Sequence, residues 1–455
     1  MANRLNTTSP SPFSLPNIRR FLAFRILFNA RFYYPVFTIL FLDFGLSLEQ
    51  FAILNTIWAF TIVLAEVPSG ALADLMGRKQ LLLATSFCMI AEMTVIALAP
   101  AKSGSIFWFF LVNRIISGLA EAMASGADEA LAYDTLVENK MEDSWPLVLD
   151  WQMRVQNLGF IFAMTVGAII YDHSALNRIF AFFGTAIRVA QETSMRFPIY
   201  LTLFFAILAL WTTMGMHEPK TSEQKDGSSE TAPNIFALLK LTLRAGSWIV
   251  HTPFALAIIM YAMVLDHTLR MVVTLTSQYY RLIQLPESIF GLIGSAIALL
   301  GLVVPRLARF MTERYTAGAN TIIVSLFMLF TLVLLGQFIP YAGVIPMVMV
   351  FVGMMMTGFF TSHYLNAITS SEQRATVLSF KGLAFNAAYG LIGIGFAALM
   401  HHERLVQAMH FPGVKNGQVE NAAFQQAMTW FPWYLVICLL AVSAFCIPLL
   451  RRKIS

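Results

Sequence analysis

A row of polar and ionisable side chains runs through an otherwise apolar stretch at residues 106–133. Its members follow one another at spacings of three or four residues: Arg114, Gly118, Glu121, Ser125, Asp128 and Ala132. In an α-helix this spacing places them on one face. Burying a charge among apolar groups is costly unless the charge has a partner. The pattern therefore favours a face that lines a polar cavity and binds a solute or a proton, over a purely structural network between helices.

A second group of ionisable residues occurs further along the chain. Asp266 and Arg270 are separated by four residues, so they share a helical face, with His267 beside them. Two interpretations remain open. The pair neutralises itself, or it acts as a proton-sensitive switch that responds when a substrate displaces the arginine.

Three more residues are candidates for the same cavity. Arg31 lies within the first apolar stretch, and its planar guanidinium suits a carboxylate or phosphate group. Tyr364 shares a polar helical face with two threonines, and Asn386 lies in a later apolar stretch.

Methionine and histidine suggest a different chemistry. Met263, His267 and Met271 recur every four residues, and thioether and imidazole groups on one face suit a soft metal such as Cu(I). The chain contains 24 methionines, so chance spacing is common and methionine is also a good packing residue. Core packing is the favoured interpretation, and we expect no bound metal and no cofactor.

The elements that position these residues are apolar helices. Hydrophobic residues make up 58% of the chain and charged residues 12%, against about 25% charged in soluble domains. Runs of about 20 apolar residues match the thickness of a bilayer core. They predict an all-α polytopic membrane protein with spans at 20–42, 49–70, 80–100, 106–133, 148–171, 197–216, 249–275, 288–310, 317–339, 344–367, 376–400 and 430–450.

The distribution of Lys and Arg predicts the orientation. With a cytoplasmic N-terminus, 17 of the 30 basic residues lie in cytoplasmic segments and 7 in external ones. This bias follows the positive-inside rule, so we expect both termini in the cytoplasm. It also accounts for the basic pI without a nucleic-acid partner.

The chain is expected to divide into two six-helix halves. The polar segment at 217–246 reads as a cytoplasmic linker between the half at 20–216 and the half at 247–450. Residues 1–19 and 451–455 form cytoplasmic tails. Two external segments are longer than the rest: 174–192 has the spacing of an interfacial amphipathic helix, and 401–429 reads as a solvated loop.

The stretch EVPSGALADLMGRK follows the second span. Gly70, Asp74, Gly77, Arg78 and Lys79 form the pattern G-x-x-x-D-x-x-G-R-K, which resembles the signature of the loop between helices 2 and 3 in the major facilitator superfamily. The family usually has a basic residue after the aspartate, where this chain has a leucine. Pro68 and Gly70 are expected to end the second span.

The resemblance extends over the whole chain and to a bacterial subgroup of the family. It implies a secondary transporter that moves a small organic solute by alternating access, as a monomer in the bacterial cytoplasmic membrane. The titratable acids make protons the expected coupling ion, and export is a possible direction. The glycine and proline signature of the family's drug/proton antiporters is missing from the fifth span, which weakens an assignment to drug antiport.

The resemblance also assigns a gate to the signature loop. In the family the loop aspartate lies near the start of helix 11, so Asp74 is expected close to Arg374. There the positive end of the helix dipole would attract it and hold the two halves together. Glu66 lies on the same stripe of its helix as Gly70 and Asp74, and a small residue between acids permits close helix approach.

Three alternatives remain beside this function. A copper importer of the same superfamily would use the Met/His face, and a transporter-like receptor would bind a ligand without moving it. An intramembrane enzyme is disfavoured because the chain lacks the H-E-x-x-H and G-x-S-x-G patterns. The chain also lacks a nucleotide-binding loop, so we expect no enzyme and no ATP-driven pump.

Overall fold

The structure is a computed structural model that describes residues 11–219, 246–369, 371–410 and 416–451, apart from the side chains at 67, 71, 74, 75 and 371–376. The regular secondary structure of the described residues is helical, as expected for an all-α protein. The helices before the linker are α1 (Pro16–Asn29), α2 (Phe37–Phe44), α3 (Leu48–Met76), α4 (Arg78–Ala97), α5 (Ile106–Ala124), α6 (Ala127–Glu138), α7 (Trp145–Tyr171), α8 (His173–Phe182), α9 (Gln191–Ser194) and α10 (Phe197–Met214).

The helices after the linker follow the same pattern. They are α11 (Pro253–Thr274), α12 (Thr276–Leu282), α13 (Glu287–Leu300), α14 (Val304–Arg314), α15 (Ala317–Leu335), α16 (Val344–Ile368), α17 (Ser371–His410), α18 (Asn416–Met428) and α19 (Phe431–Arg451). Residues 246–251 are also helical. Most of the predicted linker, 220–245, lies outside the described residues.

Within the described residues, 11 helices are long and apolar enough to cross a membrane. They correspond to the second to twelfth predicted spans. The first predicted span is not one helix, because α1 ends at Asn29 and α2 begins at Phe37. Pro35 lies in the break, and proline cannot donate the backbone hydrogen bond that a continuous helix needs.

The break in the first span is held by its neighbours. Its Phe32 N–H donates to the Thr202 hydroxyl at 3.1 Å. The Phe32 carbonyl packs against Gly167, where a side chain would collide with it. Irregular backbone at membrane depth is tolerated where it is buried in protein or lines a cavity, and this segment does both.

The fourth predicted span is also divided, so the expectation of one continuous helical face at 106–133 is wrong. α5 ends at Ala124, and α6 begins at Ala127 after Gly126, whose φ of 78° is left-handed. Glycine adopts this conformation without the steric cost that a β-carbon brings. The turn separates Asp128 from the residues of α5.

The second predicted span continues further than expected. α3 runs through Pro68 and Gly70 and ends at Met76, so the expectation that these two residues end the helix is wrong. Proline removes one intrahelical hydrogen bond. A membrane helix tolerates this loss because neighbouring helices and side chains can satisfy the backbone group that is left free. The turn occurs at Gly77, with φ 91° and ψ 150°.

The segment at 401–429 is largely helical, which corrects the expectation of a solvated loop. α17 continues to His410, and α18 covers Asn416–Met428. Apolar and polar residues follow each other here at helical spacing. The Glu403 side chain is buried, and its carboxylate accepts a hydrogen bond from the Trp430 ring N–H at 3.2 Å. The residues between the two helices, 411–415, lie outside the described part.

The two halves meet through two long helix pairs. α3 packs against α17, and α7 packs against α13. Small residues allow close approach of helices. Between the halves, Gly291 faces the backbone of Met164. Within the first half, Gly118 faces Thr61, whose side chain lies 2.8 Å from the position that a β-carbon of residue 118 would occupy. These pairs frame the space in which the candidate site lies.

Candidate functional site

A cavity of about 180 Å³ lies between the two halves near the middle of the helices. Both halves contribute to it. Its lining consists of Arg31, Tyr33, Tyr34, Phe37, Asn55, Trp58, Arg114, Ser117 and Glu121 from the first half, and Arg270, Thr274 and Tyr389 from the second. The structure thus brings together four of the eight predicted site residues: Arg31, Arg114, Glu121 and Arg270.

The broken first helix supplies one wall of the cavity. Tyr34 is 44% exposed although it lies far from either end of the bundle, because it faces this space. Arg31 is buried and forms an ion pair with the fully buried Glu92 of α4. Its charge is therefore largely neutralised within the first half.

Arg114 is held differently. Its Nε and Nη2 donate to the Asn113 side-chain oxygen at 3.0 and 2.9 Å. Its guanidinium also lies over the rings of Phe37 and Phe41, at 5.4 and 5.5 Å from their centroids. Asn113 in turn donates to the Glu92 carbonyl at 2.9 Å. Arg114 is thus oriented by neutral groups.

Arg270 is the counterpart of Arg114 in the second half. Its Nη1 donates to the Asn386 side-chain oxygen at 2.8 Å, and its guanidinium lies 5.1 Å from the Tyr389 ring centroid. The Tyr389 hydroxyl lies 2.9 Å from that of Thr274. Asn386, a predicted site residue, therefore acts on the cavity by positioning Arg270.

The predicted carboxylates have three different environments. Glu121 lines the cavity, is exposed, and has no ion-pair or hydrogen-bond partner among the described residues. Asp128 lies outside the cavity and is paired with Arg25 at 2.8 Å. Asp266 also lies outside the lining, and its Oδ2 is buried without a partner in the described structure. No ion pair between Asp266 and Arg270 is found in that part of the chain.

Tyr364 and the Met/His face lie away from the cavity. The Tyr364 hydroxyl accepts a hydrogen bond from Asn320 at 2.7 Å between α15 and α16. Both ring nitrogens of His267 are engaged, one by the Met263 carbonyl at 2.5 Å and the other by the Tyr434 hydroxyl at 2.7 Å. This arrangement disfavours copper binding, because a metal would have to displace one of these bonds.

The signature loop is held to the end of the first half. The Glu218 carboxylate accepts hydrogen bonds from the backbone N–H groups of Arg78 and Lys79 at 2.8 and 2.7 Å. It therefore caps the start of α4, where the helix dipole favours a negative charge. The Arg78 side chain forms an ion pair with Asp134 and donates to the Ala130 carbonyl at 3.1 Å.

The remaining gating candidates are less completely defined. Glu66 lies on α3, and its Oε2 is buried without a partner in the described structure. Gly70 is within α3. The side chains of Asp74 and Arg374 fall outside the described residues, so the expected contact between Asp74 and the start of helix 11 stays a prediction.

One end of the cavity is closed by a network that the sequence did not single out. The Asp43 carboxylate accepts two hydrogen bonds from Arg281, at 2.8 and 2.9 Å. Asp43 also accepts hydrogen bonds from the Tyr171 hydroxyl and from Gln191, and Arg281 donates to Glu287 at 3.0 Å. Arg281 belongs to the second half and Asp43, Tyr171 and Gln191 to the first, so the network joins the halves. We call this the closed end.

The charge of Arg281 is secured by its partners. Burial lowers the pKa of Arg281. The hydrogen bonds to Asp43 and the negative charges of Asp43 and Glu287 raise it by a larger amount, so the net pKa lies above the ordinary value. Arg281 is therefore a cation at any physiological pH. Its identity as an ion-pair residue was not readable from the sequence, because Asp43 is more than 200 positions away.

Further contacts between the halves reinforce the closed end. The Ser277 hydroxyl accepts a hydrogen bond from the Thr38 N–H at 2.9 Å, and the Thr38 hydroxyl donates to the Thr274 carbonyl at 2.5 Å. The Glu420 carboxylate accepts from the Leu48 N–H at 2.8 Å. At the opposite side of the cavity the exposed positions continue from Tyr34 through Glu121 to Ser125. The cavity is thus shut at one end and accessible from the other.

The sequence profile of the Major Facilitator Superfamily matches residues 21–398. The chain belongs to the Major Facilitator Superfamily. This membership identifies it as a membrane transporter of the secondary type and not as an enzyme. The cavity described above is lined by residues of both halves.

Solved structures of superfamily members share this fold at low identity. A nucleoside transporter, NupG, has a TM-score of 0.66 at 13% identity, over 94% of this chain and 98% of its own. A bacterial homologue of the human lysosomal transporter Spinster, inward-facing and unoccupied, has a TM-score of 0.69 at 15% identity, over 97% and 98%. A D-xylose–proton symporter has a TM-score of 0.60 at 14% identity, over 92% and 97%. No protein of curated function matches the sequence significantly.

Proposed function

We propose that the protein moves a small organic solute across the membrane by alternating access around the central cavity, coupled to protons. The observation that supports it is a cavity lined by both halves, shut at the Asp43–Arg281 end and accessible from the other. In the proposed cycle, a solute enters from the open side, the halves close around it, and the closed end then separates.

The membrane arrangement is part of the proposal. The broken helix made of α1 and α2 is a twelfth crossing beside the 11 candidate spans of the described residues. With Lys and Arg concentrated on one side, both termini are cytoplasmic, and the closed end faces outward. We propose that the protein acts as a monomer in the bacterial cytoplasmic membrane.

Glu121 is the proposed proton carrier. A coupling carboxylate must be reachable by water and by the solute, and must not be fixed in a permanent ion pair. Glu121 meets both conditions within the described residues, whereas Asp128 is paired with Arg25. Asp266 is the second candidate because it meets the second condition: its buried Oδ2 has no partner within the described residues, although it lies outside the cavity lining.

Transport is tested with purified protein in liposomes under an imposed pH gradient. A panel of small organic acids, amines and neutral solutes is offered, and solute flux and internal pH are recorded together. We expect flux that follows the gradient, with export as the direction, and Glu121→Gln and Asp266→Asn variants that lose coupling. Glu313→Gln, at a 59% exposed carboxylate on α14, is the matched control.

Two outcomes would contradict the proposal. A protein that binds solutes of the panel but moves none of them would be a receptor. Flux that is unchanged by the gradient and by both variants would exclude proton coupling through these carboxylates.

The signature loop is the proposed gate of the cytoplasmic side. Its aspartate, Asp74, is proposed to hold α3 against the start of α17 near Arg374 when the cytoplasmic side is shut. Asp74→Asn should impair transport while the amount of protein inserted in the membrane stays normal. Normal transport by this variant would count against the gate.

A further inference from the structure

We propose that the solute is a small aromatic monocarboxylate, whose carboxylate binds between Arg114 of the first half and Arg270 of the second. This inference rests on the proposed transport function and names the substrate class of the same cavity. It begins from a difference among the three cavity arginines.

Within the described residues, only one of these arginines has a carboxylate partner. Arg31 is paired with Glu92, whereas the described residues place only neutral side chains within hydrogen-bond distance of Arg114 and Arg270. Each of the two is oriented by an asparagine oxygen and lies over an aromatic ring. A guanidinium has five N–H donors in a planar fork, so donors remain for a bidentate contact with a carboxylate.

The charge of the cavity matches a single negative charge. The Arg31–Glu92 pair is neutral, and the remaining lining groups with charge are Arg114, Arg270 and Glu121. Their sum is one positive charge when Glu121 is ionised. A monoanion restores neutrality, whereas a phosphate dianion would leave excess negative charge in apolar surroundings.

The walls of the cavity suit a flat apolar body. Tyr33, Tyr34, Phe37, Trp58 and Tyr389 are all aromatic. Aromatic rings pack against one another by offset or edge-to-face contacts. The cavity volume of about 180 Å³ is below the range of roughly 300–1,000 Å³ found for drug-sized ligands, so a compound with one or two rings is expected.

The two arginines also explain how binding would favour closure. They belong to opposite halves and line the same cavity, and Arg270 lies 5.1 Å from the ring centroid of Tyr389 on the cavity wall. Bringing two like charges together away from water is unfavourable. A carboxylate between them replaces repulsion with two attractive contacts, so the solute would promote closure of the halves around itself.

The test is a binding experiment on the full-length protein in nanodiscs at pH 7.5, read by tryptophan fluorescence and by the shift in Tm. The probes are benzoate, phenylacetate and indole-3-acetate, the three corresponding amides, and phenyl phosphate. We expect at least one carboxylate to bind at least tenfold more tightly than its amide. Arg114→Gln and Arg270→Gln should each weaken that binding at least tenfold.

The controls separate charge from folding. Arg154→Gln removes a 66% exposed arginine on α7 and should leave binding unchanged. Arg114→Lys and Arg270→Lys keep the positive charge without the planar fork, and should bind the carboxylate more weakly than the wild-type protein. They keep the inference testable if the Gln variants fail to fold. Equal binding of carboxylate and amide, tighter binding of phenyl phosphate, or no binding of any carboxylate would overturn the inference.

A failed inference and a failed transport function would look different. The change in access from one side of the membrane to the other can be measured without a solute, by side-specific labelling. If access alternates and no carboxylate of the panel binds, the substrate class is wrong and the transport function stands.

Discussion

Asp43 and Arg281 join the two halves of the molecule through a two-pronged ion pair, with nitrogen–oxygen distances of 2.8 and 2.9 Å. Parallel contacts of this kind are among the stronger and more directional hydrogen bonds in proteins. Because the pair lies across the interface, it can persist only while the closed end stays shut. It therefore holds the protein in the state with access from the opposite side.

Removing the Arg281 charge should destabilise that state. Breaking one partner of a buried pair costs about 3–5 kcal/mol, and because this pair is 20–30% exposed we expect about 1–3 kcal/mol. Since about 1.4 kcal/mol is a factor of ten in an equilibrium, Arg281→Gln should enlarge the population with a separated closed end by roughly fivefold to a hundredfold. Spin labels at Ser103 and Tyr341, read as a distance distribution, measure this population.

The matched control for Arg281→Gln is a surface pair at the same end. Lys102 and Glu192 lie 2.8 Å apart and are 63% and 70% exposed. Exposed pairs of this kind contribute about 0–1 kcal/mol, and both partners belong to the first half. Lys102→Gln should leave the distance distribution unchanged. An equal effect of the two substitutions would show that general surface charge, not the Asp43–Arg281 pair, holds the closed end.

Asp172 should make the closed end sensitive to acid. Burial raises the pKa of this carboxyl, but hydrogen bonds from the N–H groups of Ala175, Ser288 and Ser174 outweigh it, and the net pKa is below the ordinary value. A lowered pKa stabilises the folded state above the unfolded pKa, near 3.9, and this contribution is lost as pH falls through the folded value. The contact with Ser288 at 3.2 Å crosses the halves.

The prediction for Asp172 is a pH-dependent difference in Tm. The wild-type protein should be more stable than Asp172→Asn at pH 6–7, and the gap should narrow below about pH 4. Melting curves of both proteins in the same detergent measure it. A gap that stays constant down to pH 3 would mean that Asp172 acts through packing and not through its charge.

Gly77 should be intolerant of any side chain. Its φ of 91° and ψ of 150° lie in a region that is essentially restricted to glycine, at a cost of about 1–3 kcal/mol for other residues. A β-carbon would also lie 3.0 Å from the Glu218 carboxyl carbon that caps α4. Gly77→Ala should therefore lower the Tm clearly.

Gly70 provides the comparison for Gly77. It is helical, and a β-carbon there meets nothing within 4 Å. Since alanine is favoured over glycine within a helix by about 0.5–1 kcal/mol, Gly70→Ala should leave the Tm unchanged or raise it. A similar loss of Tm in both variants would show that the signature loop does not require the Gly77 backbone conformation.

The sequence predicted the helices, and four of its eight candidate site residues line the cavity, for reasons that are local in the chain. Apolar runs indicate burial in a bilayer. Arg114 and Glu121 could be selected as candidates because they lie on one helical face within an apolar run. The breaks at Pro35 and Gly126 were missed because a hydropathy pattern averages over a whole span. The partners of Asp43, Arg31 and Arg270 were missed because they depend on contacts between distant segments.

Side-specific labelling of a Ser117→Cys variant, which places a thiol on the cavity wall and keeps Glu121, tests alternating access most directly. The three native cysteines, Cys88, Cys438 and Cys446, are first replaced, and a membrane-impermeant thiol reagent is applied to right-side-out and inverted vesicles. We expect labelling mainly from the cytoplasmic side, and a clear rise in labelling from the outside when Arg281→Gln is added. Labelling only from the outside, or no change on removal of Arg281, would contradict it.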